Sequence, residues 1–251
     1  MTRRWDIVLL IVILATALPA AADDIARAAA LIEAAEQKPD LQALTEAEKI
    51  LTSACQGPRR NPSCEYWLAR DYLAQHNYYT QVKSDKKRAE ETLDLAENMA
   101  RQASARRPND ARVHVLLGKI FQLRLAQSPV SGITRALISG SPVTKEYERA
   151  LEIEPTNGEA MLGLGIYYQF VPIALGGDPH RARKYFKDAA KQMPTNPEPL
   201  VWLSISYREE GRLDDARLFL DRALGLDPDN PFALAEDQRM RAAEQAARPA
   251  P

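Results

Sequence analysis

The sequence predicts an all-α protein, a solenoid built from antiparallel helix pairs. Three observations carry this prediction. Ala-rich stretches alternate with clusters of Gly and Pro, the distribution of helices joined by turns rather than of strands. Within those stretches, small and bulky apolar residues recur three or four apart, so they share one helical face. The same order of residues then returns along the chain, and internal repetition decides a fold before anything else.

The elements follow in order. Residues 1–22 are set apart as a signal peptide. Arg3 and Arg4 form a positive start, Ile7 to Leu18 is an apolar run, and Ala20, Ala21 and Ala22 offer small residues before Asp23. The run is shorter than the roughly 20 residues of a membrane span, so cleavage and no membrane span thereafter are expected. An uncleaved N-terminal anchor is the alternative. Asp6 disfavours the twin-arginine route, so the Sec route and a periplasmic location are expected. Removing residues 1–22 takes Lys+Arg from 33 to 31 and Asp+Glu from 34 to 33, a net charge of −2 in place of −1. So nearly neutral a chain offers no electrostatic case for nucleic acid.

Residues 23–62 hold two amphipathic helices, 24–37 and 41–55, broken at Pro39-Asp40. Cys55 and Cys64 flank a loop rich in turn residues. In an exported chain an even cysteine count favours a disulfide, worth about 2–3 kcal/mol for so short a loop. Two free buried thiols are the alternative. The spacing is poor for a metal.

Residues 63–230 carry the repeats. Leu68, Ala69 and Tyr72 open the first, and Ala96, Ala100, Ala103 and Pro108 close it after an insertion at 77–88. Leu117, Gly118 and Phe121 pair with Val143, Tyr147, Ala150 and Pro155 across a long insertion, roughly 128–141, with one short helical turn expected at 133–137. Leu164, Gly165 and Tyr168 pair with Ala182, Phe186, Ala189 and Pro194. There Pro172 ends the first helix, Gly176-Gly177 turns the chain, and Asp178 with Pro179 starts the second. The cleanest repeat has Leu203, Ser204, Tyr207 and Gly211, then Ala216, Leu220, Ala223 and Pro228. Residues 231–246 read as a polar capping helix, and 247–251 as a disordered tail.

The last of these repeats resembles the tetratricopeptide repeat (TPR), a helix pair of about 34 residues. The resemblance spans about 63–230 and implies a right-handed TPR-like α-solenoid, here with insertions between the first and second helix of several pairs. In the pair before the last, the gap from Gly165 to Ala182 is five residues longer than the family spacing. In the pair before that, the gap from Gly118 to Val143 is thirteen residues longer. The stretch 176–186, Gly-Gly-Asp-Pro followed by Ala182, Tyr185 and Phe186, is similar to exported bacterial TPR subunits associated with TRAP-type transporters.

The resemblance also implies a partner groove lined by first helices. Its positions here are Tyr66, Arg70 and Leu73; Val115, Lys119 and Gln122; Leu162, Ile166 and Gln169; Val201, Ile205 and Arg208. Leu162, Ile166, Val201 and Ile205 make that groove apolar. It is then either filled by the chain's own insertions or open to an apolar helix, peptide or small molecule. No catalytic motif stands out. Gly163-Leu164-Gly165 lies within a helix and lacks a third glycine. His76, His114 and His180 are isolated, and Lys83 to Arg88 reads as a solvated loop and helix start. Asp214, Asp215, Asp227 and Asp229 read as helix-end acids. The expected function is a non-catalytic scaffold without cofactor or metal, bound to another envelope protein or peptide. A carrier of an apolar small molecule serving a transporter is the second expectation.

Overall fold

The computed structural model describes residues 20–56, 61–127 and 141–247. Residues 1–19 of the expected signal peptide, the short turn expected at 133–137 and residues 248–251 of the expected tail lie outside the described residues. The described residues form eleven α-helices, and no strand occurs among them. No described helix is long and apolar enough to cross a membrane. The chain divides into two compact units, residues 1–108 and 109–251.

In the first unit, α1 (Ala20–Gln37) and α2 (Leu41–Ala54) form a hairpin. Asp40 ends the break by accepting the backbone N–H groups of Gln42 and Ala43. Ile25, Ala28, Ile32 and Ala35 on α1 meet Leu44, Ala47 and Leu51 on α2, all buried in one cluster. Full burial of each Leu or Ile here stabilises the unit by about 1.5–3 kcal/mol. The Cys55–Cys64 disulfide is formed, with Cα atoms 5.7 Å apart, and joins the end of α2 to the start of α3 (Cys64–Tyr78).

The expected insertion at 77–88 is almost wholly helical. α3 runs on into a π-helical turn, Tyr79–Lys83. Ser84 then reverses the chain with φ 53°, and Asp85 caps α4 (Lys86–Arg106) by accepting from the Arg88 N–H. Lys83 is thus the last residue of that turn, and Lys86 to Arg88 are the first turn of α4. α4 packs on α3 through Ala89, Leu93, Ala96, Ala100 and Ala103, a stripe of small residues that lets the axes approach.

The second unit holds α5 (Ala111–Gln127), α6 (Pro142–Ile153), α7 (Gly158–Phe170), α8 (Pro179–Gln192), α9 (Glu198–Glu209), α10 (Leu213–Leu226) and α11 (Pro231–Ala247). Each helix packs on the next from α5–α6 through α10–α11, and α5, α7, α9 and α11 are also successive neighbours. Consecutive hairpins stack, as the repeats require. One bulky side chain per second helix sets the spacing. The Tyr147 ring of α6 fills the notches at Gly118 of α5 and Gly163 of α7. Phe186 of α8 fills the notch at Gly165 and stacks on Trp202 of α9 at 6.1 Å. Leu220 of α10 is fully buried, as is Ser204 of α9.

The acids expected to cap helix ends behave differently. Asn230, not Asp227 or Asp229, accepts the N–H groups of Phe232 and Ala233 at the start of α11. Asp214 and Asp215 lie in the first turn of α10, where Asp215 accepts from Arg212 Nε at 2.8 Å.

Candidate functional site

The first helices of the pairs carry the positions expected to line a groove. In the first unit Tyr66 is buried and Leu73 is half-buried. Arg70 lies 4.8 Å above the Trp67 ring and pairs with Glu36 and, at 3.5 Å, Glu33 of α1. In the second unit Val115, Leu162, Val201 and Ile205 are 5%, 7%, 0% and 5% exposed, while Ile166 is half-buried. These apolar side chains are used up in helix packing, so they do not form an apolar trough open to solvent.

The polar positions are tied from each first helix to a neighbouring one. Lys119 Nζ of α5 meets Glu159 Oε2 of α7 at 2.7 Å. Gln169 Nε2 of α7 donates to Glu209 Oε2 of α9 at 2.6 Å. Arg208 of α9 forks onto Glu236 of α11 at 2.6 and 3.3 Å, and Glu236 is fully buried. Gln122 instead accepts the Tyr147 hydroxyl at 2.9 Å. The expected groove positions therefore hold the stack in register with one another.

A different face carries a cavity of about 490 Å³, and the sequence reading did not single it out. Its wall is α8, and its construction starts in the turn before that helix. α7 ends at Phe170 ahead of Pro172, a 3₁₀ turn spans Ile173–Leu175, and Gly176 takes φ 96°. A Cβ on Gly177 would collide with the Val171 carbonyl oxygen. Asp178 then accepts from the His180 and Arg181 N–H groups, with Pro179 at the first helical position. Local backbone geometry alone accounts for this Gly-Gly-Asp-Pro turn.

From that start α8 projects His180, Arg183, Lys184, Lys187 and Lys191 along one side, with Asp188 among them. Tyr207 of α9 and Arg212, just before α10, close the cavity. The Tyr207 ring is 6% exposed and stacks on Phe219 with centroids 5.5 Å apart. Arg212, Arg183 and Lys187 stand 4.6, 5.2 and 5.8 Å from its centroid. Arg183, 4% exposed, donates to Ser206 Oγ at 3.2 Å, to His180 Nδ1 at 2.9 Å and to Glu210 Oε1 at 2.9 Å. Lys191 pairs with Asp188 at 2.8 Å. Lys184 and Lys187 are exposed and make no ion pair among the described residues. The site is basic, with an aromatic wall, and suits an anion. Nothing in it favours the apolar small molecule of the second expectation.

His76, His114 and Asp71 are built into the helix packing. His76 Nδ1 lies 2.8 Å from the Ala89 carbonyl oxygen, and His114 Nδ1 lies 2.7 Å from Glu146 Oε2. Asp71 is fully buried and accepts from Gln75, which also donates to Glu48 at 3.1 Å. Burial pushes the Asp71 carboxyl up to about 7, against the Gln75 bond and with the Glu48 charge. No cluster of metal-ligating side chains occurs among the described residues.

Comparison with known proteins agrees with the fold. The tetratricopeptide-repeat family model matches residues 175–245. No curated protein sequence matches. Among solved structures, the chain is similar to TTC0263, a thermophilic TPR protein of Thermus thermophilus. The identity is 19% and the TM-score 0.65, over 90% of this chain and 99% of that one. It also resembles YrrB, described as a TPR protein with an unusual peptide-binding site, at 18% identity and TM-score 0.46, over 84% of this chain and 99% of that one. A third likeness is to MamA, at 12% identity and TM-score 0.48, over 74% and 90% of the two chains. At these identities the likeness is one of fold. Residues 175–245 are therefore tetratricopeptide-repeat sequence, and the chain has the fold of the TPR proteins.

Proposed function

We propose that the protein is an exported, non-catalytic scaffold that holds another protein of the cell envelope. The TPR fold is a fold of protein-interaction scaffolds, in which stacked helix pairs present extended surfaces to a partner. The observation that carries the reading is the cavity beside α8, where side-chain charge is left unbalanced and exposed. Export is supported by the positive start, apolar run and small residues of positions 1–22, and by the Cys55–Cys64 disulfide, a bond of oxidising compartments. A binding role in place of catalysis is supported by Asp71. The carboxyl whose affinity for protons is raised most is sealed in the α2–α3 packing, away from any substrate.

The test is to express the tagged chain in its native host, fractionate the cells, measure the intact mass and cross-link. A periplasmic species lacking residues 1–22, oxidised at Cys55 and Cys64 and cross-linked to one discrete envelope protein, is the expected result. A reduced, full-length cytosolic species with no adduct contradicts the reading.

A further inference from the structure

We propose that the α8 cavity receives an extended acidic segment of the partner, its carboxylates set against Lys184, Lys187 and Lys191 in turn. This rests on the scaffold reading and names the chemistry that the scaffold holds. Arg183 and Arg212 are already engaged by Glu210 and Asp215, and Lys191 shares Asp188. Lys184 and Lys187, one turn apart and both exposed, lack such partners among the described residues. Like charges at this helical spacing repel, and an arriving anion relieves that repulsion.

Geometry selects the kind of anion. From residue 184 to residue 191 the helix rises about 10 Å at 1.5 Å per residue. An extended peptide places side chains of the same side about 7 Å apart, so two acids at alternate positions fit within that rise. Of the cations that converge on Tyr207, Arg183 and Arg212 are held by Glu210 and Asp215, so the cations left over, Lys184 and Lys187, follow each other along a helix and do not surround a compact anion such as phosphate. The floor is preformed. Arg183 is 4% exposed and held by three partners, with its guanidinium 5.2 Å from the Tyr207 ring centroid. The lysines belong to a second helix, whereas Lys119, Gln169 and Arg208 at the expected first-helix positions are tied to neighbouring helices.

The test is fluorescence anisotropy of the purified protein with a short labelled peptide alternating Glu and Ser. A Gln-for-Glu peptide is the control, and inorganic phosphate is the competitor. Binding of the Glu peptide alone is expected, weakening as salt rises because exposed charges are screened. Lys184→Glu with Lys187→Glu should weaken it by at least roughly tenfold while the helical circular dichroism is kept, since both side chains are exposed. Equal binding of both peptides, no binding at low salt, an unaffected double variant, or displacement by millimolar phosphate overturns the proposal. Cross-linking separates this from the scaffold reading. If wild type and the double variant capture the same envelope protein equally, the scaffold stands and the acidic-segment site falls.

Discussion

A methyl group added to Gly118 or Gly163 would meet the ring of Tyr147, at 2.7 Å for Gly118 and closer still for Gly163. Gly163→Ala should therefore destabilise the protein by about 1–3 kcal/mol, read as a lowered unfolding midpoint, because a packed ring cannot yield without an off-rotamer shift. Gly225 of α10 is the internal control. Nothing lies within 4 Å of the corresponding Cβ, so Gly225→Ala should stabilise by about 0.5–1 kcal/mol through the chain entropy removed. At Asp71 the sign of a pH effect follows from burial. Its folded pKa of about 7 lies above the unfolded value near 3.9, so the folded state holds the proton longer. Stability contributed there is whole below about pH 4 and is lost as pH rises through about 7, by roughly 2–4 kcal/mol in all. Urea unfolding of wild type and Asp71→Asn across pH 5 to 8 should show wild type losing ground to the variant as pH rises. Parallel curves would contradict this. Leu162→Glu with Ile205→Glu, at positions 7% and 5% exposed, should cost the fold itself, seen as loss of helical circular dichroism.

Among the elements, the ties between first helices carry the argument. Glu236 is fully buried and depends on Arg208, so Arg208→Ala leaves a buried carboxylate that, among the described residues, keeps Arg239 at 3.5 Å to balance it. The expected cost is about 2 kcal/mol or more, with faster hydrogen exchange confined mainly to α9 and α11. Reducing Cys55–Cys64 should likewise lower stability by about 2–3 kcal/mol and raise exchange at the end of α2 and the start of α3. Most helices were legible in the sequence because their signals are local. Asp40, Asp178, Pro172 and Gly211 each mark a boundary where the structure has one. The stretch 77–88 was not legible as helix, since a π-helical turn leaves no composition signature and Ser84 is an uncommon residue at positive φ. The candidate site was missed for a different reason. The basic stripe at 180, 183, 184, 187 and 191 has helical spacing and could have been found, but it lies on a second helix while the family pattern directs attention to first helices. Burial of Val201 and Ile205 also could not be read locally, because it depends on which neighbouring helices cover them.

On the scale of the whole molecule, the two compact units share one device, bulky residues seated against notches of small ones. The family match over 175–245 takes in α8 to α11, which are joined by turns of three to five residues. Lys119 and Arg208 of the first helices are paired internally, and Lys184 and Lys187 of α8 face solvent around a cavity. Site-specific photo-cross-linking in cells tests this division most directly, with the reactive side chain at position 184 in one variant and at position 119 in another. The account predicts an adduct to an envelope protein from position 184 and none from position 119. Capture from 119 with none from 184 would contradict it.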